Sequence, residues 1–207
     1  MRKSLLMTTA LVAAFAATNV CAEDWTISSN ENITDSYISK DKVTISDGEV
    51  SISGNNSGII ANSDFAMSGG SLTASSNGGS ADTGVFIKGT NSSVTIENGT
   101  IDLTDSRIAK GVEDTNTTGD VNISGGTIKL SNNAYIEMYD TNTGSVKISG
   151  GELNINDNSG ILLDGANNFT MTGGSLTATS NGNSADTGIF VKGDGADVNI
   201  QGGEINL

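Results

Sequence analysis

Val121 Asn122 Ile123 Ser124 Gly125 Gly126 Thr127 Ile128 Lys129 Leu130 reads as two short strands hinged on a glycine pair. Apolar residues at 121, 123, 128 and 130 alternate with polar ones, so each strand turns one face inward. Glycine at the hinge accepts the positive φ of a sharp corner and lets neighbouring backbones approach. The same unit starts again at Val43, Phe65, Val94, Val146, Phe169 and Val198, with the second hinge glycine at Gly48, Gly70, Gly99, Gly126, Gly151, Gly174 and Gly203. Successive units are 22, 29, 27, 25, 23 and 29 residues apart. So small a unit cannot bury its own apolar face; stacked copies must share one core, which predicts a solenoid.

Between the hinge pairs lies a third apolar patch, in Gly58 Ile59 Ile60, Gly84 Val85 Phe86 Ile87, Ala134 Tyr135 Ile136 Glu137 Met138, Gly160 Ile161 Leu162 Leu163 and Gly188 Ile189 Phe190 Val191. Three short strands per rung, joined by polar turns of varying length, describe an all-β parallel β-helix of about seven rungs of 22–29 residues. At a strand spacing of about 4.8 Å the rod would be roughly 30 Å long. The usual crossover rule makes it right-handed.

Side-chain volumes support the stack. Where a unit opens on Val, at 43, 94, 121, 146 and 198, it closes on Ile52, Leu103, Leu130, Ile155 or Leu207. Where it opens on Phe65 or Phe169, it closes on Ala74 or Ala178 and its second inward residue is Met67 or Met171. A large residue offset by a small one is what close packing asks of two ends sharing one layer, so Phe65 and Ala74 are expected to meet across the lumen, as are Phe169 and Ala178. A longer period lies above the short one: Phe65–Ala74 and Ser80–Gly89 reappear 104 residues later as Phe169–Ala178 and Ser184–Gly193, the mark of a duplicated block of about four rungs. The second copy breaks off after its third hinge, so residues 23–207 are expected to be an incomplete solenoid with an open strand edge at Leu207.

Residues 1–22 carry Arg2 and Lys3, an apolar run from Leu5 to Ala17, and Val20 Cys21 Ala22 before Glu23, the pattern of a cleavable secretory signal. The run is too short to span a bilayer, and no later segment is apolar enough to do so. Cleavage after Ala22 is favoured over a lipid anchor on Cys21, because Thr18 Asn19 Val20 lacks the usual residues ahead of a lipidated cysteine. Cleavage also removes the only cysteine. Without Arg2 and Lys3, eight basic residues face 24 acidic ones, a surface that repels nucleic acid and anionic lipid. The mature chain has no proline and is crowded with Gly, Asn, Ser, Thr and Asp, yet its regular Val, Ile, Leu and Phe bury enough surface to order it.

A signal peptide followed by an acidic, cysteine-free array of units such as Ile123 Ser124 Gly125 Gly126 Thr127 Ile128 resembles the passenger domains of bacterial autotransporters of the adhesin and pertactin type. The resemblance covers nearly all of residues 23–207. It implies a right-handed parallel β-helix displayed on the outer membrane of a Gram-negative cell, or released from it, for adhesion or aggregation. It also implies an outer-membrane translocator barrel, here expected beyond Leu207; without that barrel, the periplasm becomes a possible destination.

Candidate chemistry is sparse. Asp82 Thr83 Gly84 and Asp186 Thr187 Gly188 resemble the paired tripeptides of aspartic proteases, but each follows Ser and Ala rather than a burying strand, and the duplication accounts for the second copy. Four rungs would hold them about 19 Å apart, too far to share a water. Arg107, the mature chain's only arginine, has Asp102, Asp105, Lys110, Glu113 and Asp114 nearby in sequence. A polysaccharide lyase or hydrolase would need such carboxylates and a base around one sugar, with an aromatic platform that the local sequence does not show. The group therefore reads as a solvated, charged turn. Lys88 and Lys192 read as exposed strand residues, and the triplets at Asn32, Asn55, Asn91, Asn98, Asn116, Asn122 and Asn168 as idle glycosylation matches. The lack of histidine excludes His-based triads and ordinary zinc sites. No catalytic, cofactor or metal residue is assigned. The expected function is a non-catalytic, exported rod that touches host surfaces or itself through many weak contacts. A carbohydrate-active β-helix enzyme is the alternative, and it predicts at least three carboxylates and a basic residue converging on one face.

Overall fold

The computed structural model describes residues 23–77, 82–111, 117–140, 142–181 and 187–207. The proposed signal at 1–22, with Cys21, and Glu113, Asp114, Asn116 and Asp186 lie outside the described residues. Every described strand pairs in parallel with the strand one layer away, and the chain forms a β-solenoid with three sheets.

The first sheet stacks eight strands, Trp25–Ile27, Val43–Ile45, Phe65–Met67, Val94–Ile96, Val121–Ile123, Ser145–Ile148, Asn168–Met171 and Val198–Ile200. The second stacks eight more, from Glu31–Thr34 through Thr127–Ser131 to Glu204–Asn206. The third stacks seven: Tyr37–Lys40, Gly58–Ala61, Gly84–Ile87, Arg107–Lys110, Tyr135–Met138, Gly160–Asp164 and Gly188–Lys192. A two-stranded ribbon of Thr117–Thr118 and Asn142–Thr143 adds a fourth strand at one corner of the middle layers.

All seven second-hinge glycines have φ between 69° and 95°. They also stack on one another: a Cβ at Gly126 would lie 2.7 Å from the Gly99 carbonyl oxygen, and one at Gly99 2.7 Å from that of Gly70. The glycine thus meets two demands at once, a left-handed corner and close backbone approach. The seven hinged pairs are preceded by one more, Trp25–Ile27 with Glu31–Thr34, whose corner of Ser29 and Asn30 carries no glycine. This extra layer hides from a search for hinge glycines.

The interior is the apolar half of each alternation. Phe65 stacks between Val43 and Val94, and Ala74 between Ile52 and Leu103. Both belong to the one long core; Phe169 is buried in it and Ala178 packs partly buried against it. The members of each Phe and Ala pair therefore share the inner face. Val198, Ile200 and Leu207 in the final layer are exposed.

The corner leading into the third sheet uses different chemistry. Asp35, Asn56, Asp105, Asn133 and Asn158 sit there at positive φ, a conformation that Asn and Asp tolerate better than other side-chain-bearing residues. Buried hydroxyls follow them: Ser57 donates to the Ser53 carbonyl at 2.8 Å, and Ser106 to that of Ala74 at 2.9 Å. Each bond gives a buried hydroxyl an acceptor on the backbone.

Candidate binding face on the third sheet

In the third sheet the second and fourth strand positions point into the core, as Ile59 with Ala61 and Ile136 with Met138 show. The first and third positions face outward. Register lines up Tyr37, Gly58, Gly84, Arg107, Tyr135, Gly160 and Gly188 in one outer column, and Ser39, Ile60, Phe86, Ala109, Glu137, Leu162 and Phe190 in the next. Tyr139, Asp164 and Lys192 lie one alternation further along. All three tyrosines of the chain, with Phe86 and Phe190, therefore occupy one outer face. The matching outer column of the first sheet is Thr26, Thr44, Ala66, Thr95, Asn122, Lys147, Thr170 and Asn199. It holds no ring.

The face has three parts. At the start, Tyr37 and Phe86 meet edge to face with centroids 6.0 Å apart, and the Tyr37 hydroxyl donates to the Asp82 carbonyl at 2.5 Å. Ile60, Phe86 and Ala109 form a small apolar cluster, fully covered and separate from the core. Burial pushes the Tyr37 hydroxyl well above its ordinary pKa, and the Asp82 charge adds to the effect.

In the middle, the Arg107 guanidinium forms an ion pair with Glu137 from the next layer and donates to the Tyr139 hydroxyl at 3.0 Å. Arg107 is 7% exposed and Glu137 6%. Loss of hydration raises the pKa of Glu137, the Arg107 charge opposes that shift, and Asp164 adds to it. Tyr139 is likewise raised, by burial first and by Glu137 second.

In the last part, Tyr135, Leu162 and Phe190 are only half-buried. The Phe190 ring leans back over Gly160, where a Cβ would lie 3.1 Å from its Cε2. Tyr135 is the register partner of Gly160, so the lean brings the Phe190 ring toward Tyr135 although their strands are two layers apart. Asp164 and Lys192 pair in register at the edge. Desolvation raises the Asp164 pKa, Lys192 opposes, and Asp140 adds to the rise.

Among the sequence candidates, the structure separates what sequence proximity groups. Of the described residues that sequence groups around Arg107, only Arg107 itself reaches this face; Lys192, read separately, also lies on it. Asp102 lies outward on the second sheet, between Thr73 and Lys129. Asp105 makes the corner at φ 47° and accepts a hydrogen bond from Asn133 at 3.1 Å. Lys110 points into the interior and is completely buried. Its ammonium donates to the Thr118 carbonyl at 2.9 Å and to Asn142 Oδ1 at 3.0 Å, which corrects its reading as part of a solvated turn. Lys192 is exposed, as expected, and Lys88 half-buried. In the first Asp Thr Gly tripeptide the buried Thr83 hydroxyl donates to the Gly54 carbonyl at 2.9 Å, a structural bond; Gly84 and Gly188 stand four layers apart.

The expected lack of an aromatic platform beside Arg107 is also overturned. Tyr139 touches its guanidinium and Tyr135 is its register neighbour, both brought there from the following layer. Sequence distance from Arg107 conceals Glu137 and Tyr139, one layer away, and Asp164, two layers away. The signal available was the confinement of every tyrosine to third-strand segments.

Among the described residues no helix is long and apolar enough to cross a membrane. Comparison with protein-family models, with curated proteins and with solved structures gave no match.

Proposed function

We propose that this chain is an exported, surface-presented rod that works by contact: its third-sheet outer face is an adhesive surface, and the chain performs no catalysis. The observation that carries this reading is the concentration of Tyr37, Phe86, Tyr135, Tyr139 and Phe190 on one outer face, while the first sheet presents hydroxyls, amides, Ala66 and Lys147 in the matching column. Phe86 is covered, but Tyr37, Tyr135, Tyr139 and Phe190 are half-exposed within a polar surround, which is the composition of contact sites, because each ring offers a large apolar area at little entropic cost. The regular stack repeats such contacts, so weak ones sum through multivalency. Partners would be host-surface molecules or further copies of the chain.

Beads coated with the purified chain test this. They should attach to host cells or to each other above uncoated beads, and Phe190→Ala should reduce attachment. Equal attachment by coated and uncoated beads would refute the adhesive role.

One arrangement favours the alternative of a carbohydrate-active enzyme. Asp164 raises the pKa of Glu137 and Asp140 raises that of Asp164, with Arg107 and Lys192 on the same face. That is the grouping expected of a glycosidic site, and a carboxyl held at raised pKa suits a general acid. Glu137 is nevertheless buried against Arg107. Release of reducing ends or unsaturated sugars from polysaccharides, abolished by Glu137→Gln, would establish the enzyme instead.

A further inference from the structure

The half-exposed end of this face has a composition that selects among ligands. Tyr135 and Phe190 belong to strands two layers apart, about 10 Å between backbones, with Leu162 on the layer between them. The Phe190 ring leans back over Gly160, toward Tyr135, so the three side chains border one surface. Asp164 and Lys192 stand at its edge, and the Arg107, Glu137 and Tyr139 group borders it on the preceding layers. We propose that the surface formed by Tyr135, Leu162 and Phe190, edged by Asp164 and Lys192, is a subsite for a neutral saccharide. This inference rests on the adhesive reading of the face.

Three observations point to that occupant. A pyranose ring has an apolar face of C–H groups and a rim of hydroxyls. Aromatic rings take the first, and carboxylate, ammonium and phenol groups take the second. A partner held by apolar contact alone would leave Asp164 and Lys192 desolvated without hydrogen bonds, which is costly. Charge excludes the acidic sugars: the chain carries a net charge of −14, and the two cations on this part of the face already oppose carboxylates, Arg107 with Glu137 and Lys192 with Asp164.

The duplicated block supplies an internal comparison. In the first copy, the equivalent Ile60 and Phe86 are covered and the Tyr37 hydroxyl is tied to the Asp82 backbone. That copy is closed to ligand, so binding is confined to one end of the face. Substitutions near Phe86 should lower stability, whereas those near Phe190 should lower binding.

Electrophoresis of the purified full chain through gels containing soluble neutral polysaccharides, with alginate and heparin as anionic counterparts, tests the subsite. An array of neutral oligosaccharides would widen the search. Retardation by at least one neutral polymer and by neither anionic one is expected. Phe190→Ala and Tyr135→Ala should each weaken binding by about tenfold, as loss of one stacked ring predicts. Asp164→Asn, which keeps the volume, should weaken it without altering the circular dichroism spectrum. Thr73→Ala on the second sheet should change nothing. No binding to any neutral saccharide, or binding unaffected by Phe190→Ala and Asp164→Asn, would overturn the proposal. Bead attachment lost in Phe190→Ala yet uncompeted by neutral sugars would assign the face to a protein partner, overturning the saccharide and sparing the adhesive reading. Loss of neither attachment nor sugar binding in these variants would sink both.

Discussion

Lys110 and Asn142 meet inside the solenoid: the ammonium donates to Asn142 Oδ1 at 3.0 Å, and both residues are completely buried. Register places Lys110 between Ile87 and Met138, in a column that is otherwise largely apolar. Thr117 donates to the same Asn142 oxygen at 2.8 Å, and Asn142 donates onward to Asn167 at 3.1 Å. Asn167 closes the chain on the Tyr139 carbonyl at 2.9 Å. The ribbon of Thr117–Thr118 and Asn142–Thr143 exists at the corner where this network needs partners. A buried charge requires such hydrogen bonds to persist.

The network makes stability depend on pH in a defined direction. Burial lowers the Lys110 pKa from 10.5 to about 8, partly offset by Asp120 and Asp64. Below pH 8 the folded state carries the full cost of the buried charge. As pH rises from about 8 toward the unfolded value, the unfolded chain binds more protons and stability increases. Denaturant midpoints measured from pH 8 to about 9.5, short of the tyrosine range, should rise for the natural chain. They should stay flat in Lys110→Met, whose side chain matches the register partner Met138. A flat profile in both proteins would show that Lys110 is not buried as a cation.

Arg107 offsets a second costly group. Removing it by Arg107→Leu leaves the Glu137 carboxylate buried without its charge partner, a change that typically costs about 3–5 kcal/mol near neutral pH. The Glu137 pKa is already raised, and loss of the guanidinium raises it further. A carboxyl with a raised folded pKa contributes stability below its unfolded value and loses it as pH rises through the folded value. The variant's deficit should therefore shrink in acid. The double change Arg107→Leu with Glu137→Leu should recover most of the loss, because both charges then go together. Urea unfolding at two pH values measures the natural chain and both variants, and a deficit independent of pH would contradict the assignment.

The stack was legible in the sequence because its rules are local: alternation sets the inner face of the first two strands, and glycine marks the corner between them. The third strand was harder. Gly84 Val85 Phe86 Ile87 is buried on both faces, so its apolar run has no alternation to reveal that Phe86 points outward. Lys110 shows the converse failure: a charged residue near other charges reads as solvated, and only the register puts it in the lumen. Register also assembled the Arg107, Glu137 and Tyr139 group, since partners 30 and 32 residues apart are layer neighbours. The corner of Ser29 and Asn30 carries no glycine signal, because glycine is sufficient for a hinge without being necessary.

Two glycines separate backbone strain from steric exclusion. Gly195 has φ +84° with nothing within 4 Å of its would-be Cβ, so Gly195→Ala should cost only the left-handed penalty of about 1 kcal/mol. Gly126 has φ +79°, and a Cβ there would press on the Gly99 carbonyl oxygen at 2.7 Å. Gly126→Ala adds displacement of the neighbouring layer to the same penalty, and about 3 kcal/mol is expected. Thermal or urea midpoints compare the pair. Equal losses would mean that hinge glycines are required for φ alone.

The Phe and Ala exchange predicts a coupling. Phe65→Val alone opens a cavity in the third layer and should cost about 2–3 kcal/mol, while Ala74→Leu alone overfills that layer at a cost of about 1–3 kcal/mol. Together they recreate the combination of Val94 and Leu103 that the next layer already holds in register. The double variant should therefore be more stable than the sum of the single losses by about 1–2 kcal/mol, the range found for residues sharing one packing space. Strict additivity in urea titrations would show that Phe65 and Ala74, though on one inner face, do not share volume. The same cycle at Phe169 and Ala178 should give a weaker coupling, because Ala178 is only partly buried and its layer lies nearer the exposed end.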